Sequence, residues 1–335
     1  MTRGIKKGAL LIILLSGWIS LGACSSNTES VQTGNTSENE PVQTGEISET
    51  EPVQNESSPK GPISDETNKE LSLSITDHRI ESELRMQRDG EEFPYAYMVY
   101  PEIAWSKEAE NRYPRLAESL KADNEAFRKL AMNNLADAVS LAKEGEDWLN
   151  TSNQLTETIE IYRADDKMFG YRITWNGYYN GAHPDTWYES VAYDAESGEG
   201  IPLTDVINGE EQMKKLPQII LENLDPIAVE DYQFTDEENA EMLSKIEDMV
   251  AEGDIVWTLD EKGLHVFFDA YDLQFYAFGP IFCDISLTDH PELIVEQYRP
   301  NEVQSIVTER IRYEQADTEV YSESELSAYK RGNMQ

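Results

Sequence analysis

His183 and Asp185 stand two positions apart beside the loop Asn176-Gly-Tyr-Tyr-Asn-Gly-Ala-His-Pro184. An imidazole next to a carboxylate can serve as a general base or as part of a metal site. Zinc requires three or four ligands, and His78, His265 and His290 stand in no ligand spacing with His183. A histidine in a glycine-bearing loop between strands more often hydrogen-bonds neighbouring backbone. No nucleophile elbow, phosphate-binding loop or zincin helix is present. With 65 Asp and Glu residues, no carboxylate pair stands out for glycoside hydrolysis. The sequence therefore assigns no catalytic residue, no metal and no cofactor. What the loop offers is binding chemistry: Tyr178, Tyr179, Asn180, His183 and Trp187 gather aromatic and polar groups at one point.

Two alternating runs must position that loop. Phe169, Tyr171, Ile173 and Trp175 alternate before it, and Trp187, Glu189, Val191 and Tyr193 after it, the period of half-buried strands. Upstream, alternation predicts strands over 71–80 and 93–100. The spacing of Leu116, Leu120, Phe127, Leu130, Leu135, Ala138 and Leu141 predicts a long helix between Tyr113 and Lys143, or two with a break. Residues 155–163 pair with 169–175 as a hairpin. A helix follows near 210–224, with Pro217 expected to kink or shorten it. Thr235 and Glu238 form a capping box for another, which Gly253 ends. A second hairpin joins 255–259 to 264–269, the aromatic run 271–279 reads as sheet core, and 281–287 is a last strand holding Cys283 as a small buried hydrophobe. The expected class is α+β, with antiparallel sheets, a long N-terminal helix and two later helices packed on them.

Ahead of this lies an address. Arg3, Lys6 and Lys7 precede an apolar run from Ala9 to Ala23, shorter than the ~18 residues of a spanning helix and closing on small residues as export signals do. Residues 25–70 are mostly Ser, Thr, Glu, Asn, Gln and Pro with almost no large apolar residues, and Val31-Gln-Thr-Gly34 is repeated as Val42-Gln-Thr-Gly45. Such a segment reads as a solvated, disordered acidic spacer. The expected organisation is a signal peptide over 1–23, lipid anchor and linker over 24–70, a strand-and-helix subdomain over 71–150, a second α+β subdomain over 151–290, and a polar appendage over 291–335.

Two resemblances sharpen this reading. Leu21-Gly22-Ala23-Cys24 resembles the lipobox of bacterial lipoproteins, which implies cleavage before Cys24 and its acylation. Further on, Tyr179-Asn-Gly-Ala-His183, Tyr193-Asp-Ala-Glu-Ser-Gly198, Ile201-Pro-Leu-Thr-Asp-Val206 and Tyr271-Asp-Leu-Gln-Phe-Tyr-Ala-Phe-Gly279 follow in order. They resemble the extracellular, lysozyme-binding domain of the anti-sigma-V factor and the related non-catalytic domain of peptidoglycan deacetylases. Asn180 departs from that pattern where a glycine is usual, and Ser197 where a threonine is. Only a handful of residues precede the export signal, so no cytoplasmic sigma-binding segment is expected.

Charge narrows the partners. The formal net charge is −38 and becomes more negative once the basic signal is removed. That argues against nucleic acid and against lying flat on anionic lipid. It suits either a cationic partner or plain solubility. The resulting expectation is a non-enzymatic binding or sensing lipoprotein of the cell envelope, on the outer face of the membrane. Its expected ligand is a lysozyme-like cationic protein or peptidoglycan. The competing expectation is a peptidoglycan-modifying enzyme or accessory domain with His183 at its centre. For the anchor, Cys24→Ser should release protein to the medium or leave an unprocessed precursor, as fractionation and intact mass would show; full processing with normal membrane retention would contradict the lipobox.

Overall fold

Why the two runs around the loop become strands is visible in what each face meets. In the computed structural model, which describes residues 72–142, 152–225, 234–274, 278–300 and 311–333, the chain builds β1 (Leu73–Ser82), β2 (Arg85–Arg88), β3 (Glu91–Pro94), β4 (Ala96–Trp105), α1 (Lys107–Arg112), α2 (Pro114–Leu141), β5 (Asn153–Ala164), β6 (Met168–Tyr178) and β7 (Asp185–Asp194). It continues through α3 (Leu203–Val206), α4 (Gly209–Glu222), β8 (Leu224–Asp225), α5 (Asp236–Glu252), β9 (Val256–Leu259), β10 (Gly263–Phe268), β11 (Ile281–Ser286), β12 (Ile311–Gln315), β13 (Glu319–Tyr321) and α6 (Glu323–Asn333). The class is mixed α+β.

The main sheet has seven strands in the order β12-β1-β4-β5-β6-β7, with β13 also on β1. It is mixed rather than antiparallel throughout, because β12 and β13 run parallel to β1 and β5 runs parallel to β4. The crossover between β4 and β5 contains α2, as a parallel connection requires. Strands from both sides of position 150 therefore share one sheet. A second sheet, β8-β11-β10-β9, is antiparallel.

Burial alternates so strictly that four layers follow. One face of the main sheet packs Ile75, Met98, Leu155, Ile159, Phe169, Tyr171 and Trp175 against Leu116, Phe127 and Leu135 of α2 and Leu326 of α6. The helical spacing around 113–143 thus corresponds to α2, which lies after four strands rather than at the N-terminus. Helices α4 and α5 cover the outer face of the second sheet, with Leu216, Ile220, Met242 and Ile246 against Leu264, Val266, Phe268 and Cys283. The opposite residues of that sheet, Phe267 and Phe282, meet Tyr188 of β7. Two cross-sheet hydrogen bonds tie the layers: Tyr188 N donates to Asp269 Oδ1 at 2.7 Å and Trp257 N to Ser190 Oγ at 2.9 Å.

Other expectations are adjusted. Pro217 does not end α4, which runs through it to Glu222 with Pro217 buried. The strand expected over 93–100 divides at Tyr95 into β3 and β4. The described residues of the aromatic run 271–279 are not strand: Tyr271 sits at φ 82 and is 59 % exposed, while Leu273 and Phe278 turn inward. The polar C-terminal stretch is no loose appendage between 311 and 333, since its two strands extend the main sheet and Leu326 enters the core. Most of its outward residues are polar, as suits an edge strand, with Tyr313 and Val320 exposed among them.

Asp123 is the polar tie between α2 and the sheet. Its carboxylate accepts from Tyr171 Oη at 2.6 Å and from Tyr193 Oη at 2.9 Å. Burial raises its pKa, and the two hydroxyls act in the opposite direction. Replacing it should strand a fully buried phenol. Asp123→Ala is expected to lose about 2–4 kcal/mol in urea unfolding, and Asp123→Asn clearly less because an amide oxygen still accepts; equal losses would show that the hydrogen bonds do not matter.

Candidate functional site

The loop is built by the end of β6 folding back on itself. Gly177 and Tyr179 fall on the α2-facing side of the sheet, as alternation requires, and Asn180 then turns the chain at φ 58. That left-handed angle is one that asparagine tolerates better than most residues, so Asn180 performs here what glycine does in the resembling pattern. Its amide Nδ2 donates to Asn153 Oδ1 at 3.3 Å, pinning the loop to the start of β5. Tyr178 is half-buried and its hydroxyl donates to Gly181 O at 3.3 Å.

Tyr179 is 41 % exposed and its ring lies over Gly177. A Cβ at Gly177 would stand 3.2 Å from Tyr179 Cε2 and 3.4 Å from Trp187 Cζ3, so the missing side chain lets both rings close on the backbone. Trp187 in turn stacks on Trp175, with centroids 5.8 Å apart and planes 4° from parallel. Four of the five expected residues (Tyr178, Tyr179, Asn180 and Trp187) thus belong to one end of the β5–β6–β7 sheet.

His183 lies in the loop between β6 and β7. It is exposed, and Nδ1 is 3.0 Å from Pro184 O and 3.5 Å from Asp185 Oδ1. The structure does not bring the histidines together. His78 pairs with Glu102 and stacks on Tyr100, and His265 lies between Asp260 and Asp284. Among the described residues no group of three or more His, Cys, Asp and Glu side chains could hold a metal ion. Cys283 is buried, and its thiol is pushed up to about 12 by burial and then by Asp284. Cys24 lies outside the described residues.

One residue of this end was missed. Glu157 of β5 pairs with Trp175, which pairs with Trp187, so the three side chains form one row on the α2-facing side. Glu157 is 0 % exposed, and neither carboxylate oxygen has a hydrogen-bond partner among the described residues. Trp175 Nε1 is buried without a partner in the same way. Burial, and then the carboxylate of Glu189, hold the Glu157 carboxyl well above the ordinary range. Burial likewise raises the Tyr179 hydroxyl, with further contributions from Glu157 and Asp137, although the residue is partly exposed. The alternation Leu155, Glu157, Ile159, Ile161 marks Glu157 as inward-facing, but only the strand register sets it beside Trp175.

A second feature is an open groove of about 580 Å³ between β4 and the helices α1 and α2. It is lined by Glu102, Trp105, Glu110, Glu118, Lys121 and Asn124 among others. Asn124 is committed there to the backbone of Ile103 at 2.9 and 2.8 Å.

No protein-family model matches the chain, and no curated protein matches it. Solved structures do resemble it. A DUF3298 family member from Bacteroides fragilis aligns at a TM-score of 0.45 and 14 % identity, covering 68 % of this chain and 96 % of that one. A DUF3298 family protein from Pseudomonas aeruginosa PAO1 aligns at 0.43 and 12 %, covering 69 % and 98 %. These structural neighbours are bacterial proteins.

The buried carboxyl has a measurable consequence. An unfolded glutamate ionises near pH ~4.3, whereas folded Glu157 keeps its proton to higher pH. Folding is therefore favoured below the unfolded value and weakened as pH rises toward the folded one. Glu157→Leu, which removes the unsatisfied group, should raise stability by about 1–3 kcal/mol at pH 8 and flatten the stability profile between pH 5 and 8. A variant no more stable than wild type in denaturant titrations would show that the group is satisfied in solution.

Proposed function

We propose that the chain is an exported, lipid-anchored binding module without enzymatic activity, held at the outer face of the cell membrane. Its loop end takes a cationic wall-active protein such as lysozyme. The observation that carries this reading is the aromatic end of the β5–β6–β7 sheet. There Tyr179 is exposed and Tyr178 and Trp187 are half-buried, on a chain of formal charge −38. Aromatic anchors at the centre of a contact supply affinity, and opposite net charge supplies encounter rate. His183 contacts its own loop, and that placement favours binding over catalysis. The resemblance to the lysozyme-binding domain supports the choice of partner, and the lipobox supports the anchor.

Titration of the full chain in neutral detergent with lysozyme tests this. Steering should fade as the Debye length falls from ~30 Å at 0.01 M salt to ~8 Å at 0.15 M, lowering the on-rate more than it changes the off-rate. Tyr179→Ala should raise the off-rate about tenfold or more, a loss of about 1.4 kcal/mol, and Tyr178→Ala by less because that ring is partly covered. No binding at 0.01 M salt would remove lysozyme as the ligand.

A further inference from the structure

We infer that Glu157, with the stacked Trp175 and Trp187, is a concealed receptor for one cationic side chain of a protein partner, an alkylammonium or guanidinium admitted when Tyr179 lifts off Gly177. This deepens the reading above and rests on it, since it supplies the specific contact that a cationic partner would make at the loop end.

Three independent observations converge on the row. First, a carboxyl that is 0 % exposed has neither oxygen paired among the described residues, which is an uncompensated cost in a folded chain. Second, the groups beside it are suited to a cation rather than an anion. Trp175 and Trp187 offer aromatic faces, Glu189 adds a second carboxylate within electrostatic reach, and cations over indole rings gain about 0.5–2 kcal/mol. Third, the neighbouring ring is partly exposed. Tyr179 lies at a loop end, 41 % exposed, over a glycine that offers no side chain to lock it. A hydrophobic core residue would have filled this position at no cost in hydrogen bonding.

The charge balance is explicit. Glu157 holds a proton in the closed state because burial disfavours the carboxylate. An incoming ammonium or guanidinium carries its own positive charge, pairs with the carboxylate, and sends the displaced proton to solvent. The titratable groups facing Glu157 are Glu189 from β7 and Tyr179 from the loop. Behind Tyr179 stands Asp137 of α2, ion-paired to Lys330 of α6.

The experiment uses the full chain in neutral detergent at pH 6.5, titrated with a tri-lysine peptide, a tri-arginine peptide and the fully acetylated tri-lysine. Tryptophan fluorescence reports on the stacked pair, and a pH-stat reports on protons. Saturable quenching by the cationic peptides only, with release of up to one proton per peptide bound, is the expected result. Glu157→Gln should weaken binding at least tenfold and abolish the proton release, while Glu91→Gln at an exposed position should do neither. Trp187→Ala provides the same test by a different route should Glu157→Gln fail to fold: it should weaken binding, with near-ultraviolet dichroism confirming the fold. Unchanged peptide binding in Glu157→Gln, or binding without proton release, overturns the receptor. Lysozyme binding that survives Glu157→Gln but not Tyr179→Ala leaves the proposed function standing and removes this inference. Peptide binding through Glu157 with no lysozyme binding does the reverse, keeping the receptor and removing lysozyme.

Discussion

Arg172 lies in the middle of β6, side chain pointing between the two sheets. Its guanidinium carbon is 4.6 Å from the ring centre of Phe267, 5.2 Å from Tyr188, 5.7 Å from Tyr162 and 5.9 Å from Phe282. One amino group donates to Glu160 at 2.7 Å, which leaves the charge compensated although the side chain is only 17 % exposed. Four rings around one cation fix the distance and register between the sheets in a way that aliphatic packing alone would not, because each ring must present its face or edge to the same point. The orientation of β6 follows from that contact. With Arg172 directed to the second sheet, Tyr171 and Ile173 must face α2, and so must Trp175 and Gly177 further along.

That constraint extends to the loop end. Period-2 alternation leaves β6 no freedom to rotate its last residues independently, so the tryptophan stack and the bare backbone at Gly177 are placed by the same strand that holds the sheets together. A second glycine shows how tightly the other end is closed. Gly198, at φ 67 in the turn after β7, would put a Cβ 2.6 Å from the carbonyl of Arg115, and its own carbonyl accepts from Ser119 Oγ at 2.7 Å. The start of α2 therefore packs directly on the turn that ends β7. Helix and hairpin are clamped at one end by Gly198 and in the middle by Asp123, while at the end carrying Tyr179 the amide of Asn180 reaches across to Asn153.

The strands around the loop and the capped helix were legible because each is governed locally. Alternation is decided by the two faces of a sheet, and Thr235 and Glu238 do form a capping box, with Gly253 at φ 74 closing the helix. The two local hairpins, β5 with β6 and β9 with β10, were legible too, but distant partners were not, because β12 and β13 join β1 from the far end of the chain and nothing local in Ile311–Gln315 encodes a parallel neighbour. Pro217 was misjudged because it is a helix breaker only where its ring and missing donor cannot be accommodated. For the site, Tyr178, Tyr179, Asn180 and Trp187 could be gathered by chain proximity alone. Glu157 could not. It lies 22 positions before Tyr179 and was one acidic residue among many until the register placed it beside Trp175.

The contrast between Glu157 and the remaining carboxylates bears on how so acidic a chain can be selective. Exposed carboxylates attract any cation, and at 4 Å in water such a pair is worth about 1 kcal/mol, before screening by salt. A pair at the same distance in a site of effective dielectric ~20 is worth about 4 kcal/mol, but only for a cation that fits the space, reaches the buried oxygen and displaces its proton. On the proposed reading, surface charge would set how often a cationic partner arrives, while the buried carboxyl would discriminate among arrivals by shape. The desolvation that makes Glu157 unfavourable in the closed chain is the same term that strengthens its pairing once a cation is enclosed. An exposed glutamate at this position would lose both effects together.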